Sequence, residues 1–140
     1  MKKFAAFLCS VFLACGAISA DAATVTRLTW ADRSEETPPF VRIVMDLSEP
    51  VTGEAFLSND GLAVNVLLQS SVIGSGVPGR IAVSSKTVNA ISFSRSGDNL
   101  VLSAKLNHTI DPSRVKIFPL EADAETGRPQ RLVLDIPSVK

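Results

Sequence analysis

The stretch VRIVMDLSEP, residues 41–50, alternates so regularly that it predicts a β-strand with one apolar face and one polar face. Arg42 and Asp46 belong to the polar face, together with the smaller Val44. The apolar face, which we expect in a protein core, consists of Val41, Ile43, Met45 and Leu47.

A second stretch near the end of the chain, RLVLDIPS at residues 131–138, repeats this order, with Arg131 and Asp135 on its polar face. In each stretch the arginine and the aspartate share a face but stand about 13 Å apart, because a strand rises about 3.3 Å per residue. They cannot bond each other within one strand. Each charge therefore needs a partner on a neighbouring strand or in a ligand.

The same alternation continues along most of the chain, and helical periodicity is nowhere sustained over three turns. Turn-forming residues separate the alternating segments, as in SNDG at 58–61 and SGDN at 96–99. The predicted strands are residues 25–30, 40–47, 52–57, 62–68, 87–94, 100–106, 114–118 and 131–136.

A Gly- and Ser-rich segment, residues 69–86, divides these strands into two sets of four. It contains a further candidate strand at 80–83, and its length suits a crossover between layers. Sheets with one apolar face bury it by packing against each other. The sequence therefore predicts an all-β fold, a β-sandwich of two related, mainly antiparallel sheets with approximate internal two-fold symmetry.

The N-terminus has the features of an export signal. Lys2 and Lys3 precede the uncharged apolar run 4–18, and Ala20 and Ala22 supply the small residues that signal peptidase requires. The run is too short to cross a bilayer, which takes about 20 residues. We expect a secretory signal peptide.

The expected signal peptide covers residues 1–22, which leaves a mature domain at 23–140 in the periplasm. The alternative is a lipoprotein, because the sequence FLAC ending at Cys15 resembles a bacterial lipobox and would make Cys15 a lipidated N-terminus. Cleavage after residue 22 would remove both cysteines, Cys9 and Cys15, so the mature domain would have no disulfide.

Charge and composition exclude several functions. Removing two of the 14 basic and one of the 14 acidic side chains with the signal leaves a net charge of −1, whereas a nucleic-acid-binding domain carries a basic excess. A zinc hydrolase needs a set of histidine, carboxylate or cysteine ligands, and His108 is the single histidine. Asp46 and Asp135 are better explained by cross-strand salt bridges than as a glycosidase pair. We therefore expect no catalytic residue, no metal and no cofactor.

Two segments resemble the AMIN domain family. VRIVMDLSEPVTGEAFLSNDGLAVNV, residues 41–66, resembles the first half of such a domain, and RLVLDIPSV, residues 131–139, resembles its closing strand, which normally ends in Val-Asp-Leu-Pro. The first half departs from the pattern at Asn65, where aspartate is usual and no proline follows. The resemblance covers residues 24–139.

The resemblance implies a small β-sandwich of the bacterial periplasm, of the kind attached to peptidoglycan amidases and to pilus or secretion channel proteins. It implies a non-catalytic module that binds peptidoglycan and targets a partner to the cell wall or division septum. The alternative is a protein-interaction subunit of an envelope assembly, such as pilus, secretion or division machinery, whose edge strands extend a partner's sheet.

The candidate ligand-binding residues are basic side chains expected on the polar faces. Peptidoglycan stem peptides carry free carboxylates, which a guanidinium holds with two parallel hydrogen bonds. Replacing the arginines of both quoted stretches with alanine should then weaken wall binding and leave stability nearly unchanged. A solvated strand face with weak exposed pairs is the competing interpretation. The candidates are Arg42, Arg95, Arg114, Lys116 and Arg131.

Overall fold

The computed structural model describes residues 22–138. The predicted signal peptide, except for its last residue Ala22, therefore lies outside the described residues, and so does the alternative lipidation site, Cys15. The described chain contains ten strands and one turn of 3₁₀-helix at Pro112–Arg114. The strands are β1 (Ala23–Arg33), β2 (Phe40–Leu47), β3 (Gly53–Leu57), β4 (Ala63–Leu68), β5 (Ser71–Ile73), β6 (Arg80–Ala82), β7 (Val88–Ser96), β8 (Asn99–Leu106), β9 (Lys116–Leu120) and β10 (Gln130–Pro137).

The strands form two five-stranded sheets. Sheet A has the order β9-β10-β2-β1-β5, and sheet B has the order β3-β4-β8-β7-β6. All neighbouring strands are antiparallel except β1 and β5, which are parallel. The predicted fold class, an all-β sandwich of two mainly antiparallel sheets, is confirmed.

The core lies between the two sheets and is built from the apolar side of the alternation. In β2 every second side chain is buried and every other one is partly exposed, as the sequence predicts. β4 and β8 show the same alternation from sheet B. A fully buried side chain of this size contributes about 1.5–3 kcal/mol through the hydrophobic effect, so these strands hold the sheets together.

Each half of the chain contributes a pair of strands to each sheet. The pair β1–β2 lies in sheet A and β3–β4 in sheet B, whereas β7–β8 lies in sheet B and β9–β10 in sheet A. Exchanging the halves converts the order of these four strands in one sheet into that in the other, whereas the fifth strands, β5 and β6, are not equivalent, because β5 is parallel to its neighbour and β6 is antiparallel. Even a register shift recurs at equivalent places, between Val25 and Arg27 in β1 and between Val88 and Ala90 in β7. This is the two-fold symmetry that the sequence predicts.

Most observed strand ends differ from the predicted ones by one or two residues, and there are further differences in the crossover, in β1 and at the start of β9. The crossover contains two short strands, β5 and β6, of which only β6 was predicted. β1 extends to Arg33, beyond the predicted end at residue 30. β9 begins at Lys116 instead of residue 114, because Asp111 caps the 3₁₀ turn that holds Arg114.

Candidate functional site

The outer face of sheet A carries three cross-strand rows of side chains. β10 and β2 are antiparallel neighbours, so their repeated Arg-to-Asp patterns run in opposite directions and each arginine faces the aspartate of the other strand. Two charged rows therefore flank one uncharged row. From β9 through β10 and β2 to β1, the rows are Lys116–Asp135–Arg42–Ala31, Phe118–Val133–Val44–Thr29 and Leu120–Arg131–Asp46–Arg27.

Arg42 and Asp135 form a bidentate ion pair in the first row. Arg42 Nε donates to Asp135 Oδ1 and Nη2 donates to Oδ2, both at 2.9 Å. Their side chains are 36% and 12% exposed, respectively. The hydrogen bonds to Asp135 raise the pKa of Arg42 above its ordinary value. The cross-strand salt bridge expected from the sequence is therefore present for Asp135.

Two aromatic rings complete the surroundings of Arg42. Its guanidinium carbon lies 5.3 Å from the ring centroid of Phe40 and 5.7 Å from that of Phe118. Both distances fall within the range of a cation–π interaction. Arg42 is therefore held by a carboxylate, which takes two of its five N–H donors, and by two rings. These contacts change the expectation that its removal leaves stability unaffected.

An open cleft of about 420 Å³ lies beside this ion pair. The segment 36–40, which includes Pro38 and Pro39, forms one part of its lining, and Arg114 and Lys116 belong to another part. We call it the proline cleft. Its lining residues are Glu36, Thr37, Pro38, Pro39, Phe40, Arg42, Ser113, Arg114, Lys116, Asp135 and Pro137.

The 3₁₀ turn positions Arg114 at the edge of the proline cleft. Asp111 Oδ1 accepts hydrogen bonds from the Ser113 amide at 3.0 Å and from Ser113 Oγ at 2.7 Å. These bonds lower the pKa of Asp111 below its ordinary value. Within residues 22–138, neither Arg114 nor Lys116 has a side-chain hydrogen bond or ion pair, so both cations are available to a ligand.

A second cleft, also about 420 Å³, lies at the opposite end of the same face. Three of its side chains are arginines, from β1, β10 and the loop between β9 and β10, and they surround Asp46. We call it the arginine cleft. Its lining residues are Arg27, Thr29, Val44, Asp46, Gly127, Arg128, Pro129 and Arg131.

A register shift and a tight turn build the arginine cleft. The shift in β1 brings Arg27, instead of Thr26, opposite Asp46. Gly127 adopts a φ of +72°, which favours glycine, and the turn allows the backbone of Asp123 and Arg128 to pair. Neither feature depends on the Arg-to-Asp pattern of the neighbouring strands.

Arg95 is not brought to either cleft. It lies on β7 in sheet B, and its guanidinium donates to the backbone carbonyl of Ser71 at 2.9 Å and to that of Gly97 at 3.3 Å. These bonds connect β7 to the first residue of β5 in sheet A. The structure therefore gives Arg95 a structural contact, and it places Arg42, Arg114 and Lys116 in one cleft and Arg131 in the other.

His108 lies away from both clefts. Its Nε2 is 3.3 Å from Oγ1 of the buried Thr87, and its Nδ1 is 2.9 Å from the carbonyl oxygen of Thr109. Among residues 22–138, no group of three or more histidine, cysteine, aspartate or glutamate side chains is arranged to hold a metal ion.

Arg27 and Arg128 were missed by the sequence analysis. The spacing of apolar residues in β1 contains a signal for Arg27, because Val25 and Leu28 both face inward although they are three positions apart, which requires a bulge. Arg128 has no comparable signal, since it lies in an exposed loop of charged and small residues.

No protein-family model matches the chain, and no curated protein matches it. In the part of the chain that the structure describes, no helix is long and apolar enough to cross a membrane.

Proposed function

We propose that this protein is a non-catalytic, periplasmic module that binds peptidoglycan through the proline cleft. The proposal depends on one observation, that Arg114 and Lys116 line the same cleft and have no ion-pair partner among the described residues. The other two charged residues beside them, Arg42 and Asp135, already form an ion pair with each other. The resemblance of residues 24–139 to AMIN domains and the predicted signal peptide support the same role.

The chemistry of the cleft suits a short peptide that bears a carboxylate. Arg114 and Lys116 supply cationic donors for the carboxylate, and Arg114 is able to hold it with two parallel bonds. Pro38, Pro39 and Phe40 also line the cleft and provide an apolar surface on which small apolar side chains of a ligand are able to pack. A peptidoglycan stem peptide combines both properties. Glu36 also lines the cleft, and its carboxylate would attract a cationic group of the ligand.

Co-sedimentation with purified sacculi at low salt tests the proposal. The variant Arg114→Gln/Lys116→Gln should raise the apparent Kd about tenfold, because hydrogen bonds to charged groups contribute about 1.5–3 kcal/mol. The matched control is Arg80→Gln/Lys86→Gln, which removes the same charge from exposed positions outside both clefts. No sedimentation of the wild-type protein, or an equal loss in both variants, would contradict the proposal.

A second candidate function is a protein-interaction subunit of an envelope assembly. β3 is an edge strand of sheet B, and Phe56 on β3 and Leu62 just before β4 are 49% and 40% exposed. An edge strand with an exposed aromatic side chain is able to extend a partner's sheet. A photo-crosslinker at position 56 should trap a pilus, secretion or division protein in cells, whereas one at Arg80 on the other edge strand should not.

A further inference from the structure

The arginine cleft carries an excess of unpaired positive charge. Arg27, Arg128 and Arg131 surround a single carboxylate, that of Asp46, so the four side chains have a net charge of +2. Within residues 22–138, none of the four has a side-chain hydrogen bond or ion pair. Asp46 therefore does not neutralise the cleft, although it is opposite Arg27 on one side and Arg131 on the other.

Arg131 also has an unsatisfied hydrogen-bond donor. Its Nε is buried and has no hydrogen-bond partner. A buried donor without an acceptor costs about 1–3 kcal/mol, because it has lost water and gained nothing in exchange. A rotation of the Arg131 side chain that exposed Nε to a ligand oxygen would remove this penalty.

The positions of the arginines suit convergence on one group. Arg27 and Arg131 lie in the same cross-strand row on either side of Asp46, so their Cα atoms are about 10 Å apart at a strand spacing of about 4.8 Å. Arg128 approaches from the loop between β9 and β10. Guanidinium groups from three directions are able to surround one tetrahedral oxyanion and donate two hydrogen bonds each.

The internal symmetry shows that the fold does not require these charges. The strand exchange and the shared register shift make Ala90 equivalent to Arg27, Lys105 equivalent to Asp46 and Ala63 equivalent to Arg131. Sheet B builds the same corner with two alanines and one lysine. We therefore infer that the fold does not need Arg27 and Arg131 for its stability.

We propose that the arginine cleft is a binding site for a phosphomonoester, separate from the proline cleft and from the peptidoglycan-binding role. A phosphomonoester carries nearly two negative charges at neutral pH, which matches the net charge of the cleft, and its three terminal oxygens accept the donors of several arginines. The volume of about 420 Å³ is that of a small-molecule site and leaves room for a sugar-sized group beside the phosphate.

Calorimetric titration of the purified full chain with glucose 6-phosphate and with inorganic phosphate tests the site. We expect saturable binding of glucose 6-phosphate. Arg131→Gln and Arg27→Gln should each raise its Kd about tenfold, since each removes charge-assisted hydrogen bonds. The matched control is Arg33→Gln, which removes one charge from the same strand outside both clefts and should leave the Kd unchanged.

Asp46→Asn provides a test with the opposite sign. Because the negative charge of Asp46 repels an anionic ligand in the cleft, its neutralisation should lower the Kd for glucose 6-phosphate severalfold. A purely structural role of Asp46 would not improve binding. Unchanged or weaker binding by Asp46→Asn, with the folded state checked by circular dichroism, would overturn the proposal.

A second arm distinguishes two sources of the phosphomonoester. Vesicles of phosphatidylcholine with phosphatidic acid present the group on a lipid, and glucose 6-phosphate presents it on a soluble sugar. Binding to either that is lost in Arg131→Gln supports the site and identifies its source. Binding to neither probe, or an equal loss in Arg33→Gln, would overturn it. Sacculus sedimentation by Arg131→Gln should remain at the wild-type level, so failure here is distinguishable from failure of the proposed wall binding.

Discussion

The two ends of the outer face of sheet A contain the same cross-strand combination of an arginine and an aspartate, and they use it differently. At one end Arg42 and Asp135 form a bidentate ion pair at 2.9 Å. At the other end Arg131 and Asp46 are register partners, but no hydrogen bond or ion pair connects them among residues 22–138. The same pair of residue types thus gives a closed contact in one place and an open basic site in the other.

The backbone does not explain this difference. The two pairs are four residues apart on each strand, and ladder geometry alternates with every residue, so both pairs occupy the same kind of position in the antiparallel ladder. The neighbours differ instead. Arg42 has Ala31 on its other side and two phenylalanine rings around it, whereas Asp46 has a second arginine, Arg27, on its other side. Register permits an ion pair, and the adjacent side chains decide whether it forms.

Asp135→Asn should have the largest effect on stability. It removes the charge that Arg42 requires, and we expect the free energy of unfolding to fall by about 2 kcal/mol, between the values typical of buried and of exposed pairs. The matched variant Asp46→Asn should change it by less than about 0.5 kcal/mol. Urea denaturation followed by circular dichroism measures both, and equal losses would refute the difference between the two ends.

Double-mutant cycles isolate the pair from its surroundings. With Arg42→Met and Asp135→Asn, the coupling energy should be about 1–2 kcal/mol, and with Arg131→Met and Asp46→Asn it should be near zero. A coupling at the second end as large as that at the first would mean that Asp46 and Arg131 pair in solution.

Phe118→Leu should have a smaller effect at the paired end. The ring of Phe118 contacts the guanidinium group of Arg42, and a cation–π interaction at a partly exposed site contributes about 0.5–1 kcal/mol. The substitution should therefore cost about 0.5 kcal/mol more in the wild-type protein than in the Arg42→Met background. Equal costs in the two backgrounds, measured by urea denaturation, would show that the ring acts only by packing.

The smallest expected effect is a pH-dependent change in the turn that carries Arg114, in comparison with the turn that carries Arg128. The bonds from Ser113 lower the pKa of Asp111 from its ordinary value of 3.8. These bonds therefore stabilise the folded state fully above the unfolded pKa, and this stabilisation is lost as the pH falls through the lower folded pKa. In the Arg128 turn the amide of Arg128 instead donates to a backbone carbonyl, that of Asp123, at 3.1 Å, and the Asp123 carboxylate accepts from the Glu125 amide at 2.9 Å.

The amide resonance of Ser113, which donates to the Asp111 carboxylate, should therefore shift with a midpoint below pH 3.8. The amide of Arg128, which donates to a backbone carbonyl, should not report the protonation of Asp111. An acid titration by heteronuclear NMR follows both amides, with Asp111→Asn as the control that abolishes the Ser113 transition. A midpoint at or above pH 3.8 would show that the carboxylate is not stabilised in its charged form.

Much of the fold follows from local patterns in the sequence. The alternation in residues 41–47 determines which side chains are buried, because a strand places successive residues on opposite faces. In β10 it does so only in part, because residues 132–137 are all buried, including Val133 and Asp135 on the outer face. The turn sequences at 58–61 and 96–99 determine where the chain reverses. The symmetry of the two halves is also visible in the order of strands. These features are local, and a period of two suffices to predict them.

The candidate site follows from the sequence only in part. Arginine and aspartate on one polar face are evident from residues 41–50, and so is their need for partners on another strand. Arg95 looks equivalent to Arg42 in the sequence, yet its donors are taken by backbone carbonyls that lie 24 and 2 residues away. Which partner an exposed arginine finds depends on contacts between distant segments, and alternation contains no information about them.

The amino-acid sequence by itself determined the strands, their buried faces and the charges on their outer faces. The tertiary structure alone decided that β10 lies beside β2, that each arginine stands opposite the other strand's aspartate, and that a shift in β1 adds Arg27 to one of the two pairs. The physical reason is the range of the interactions. Burial and turn formation depend on neighbours along the chain, whereas ion pairing depends on strands brought together from distant parts of the sequence, as Arg42 and Asp135 are from 93 residues apart.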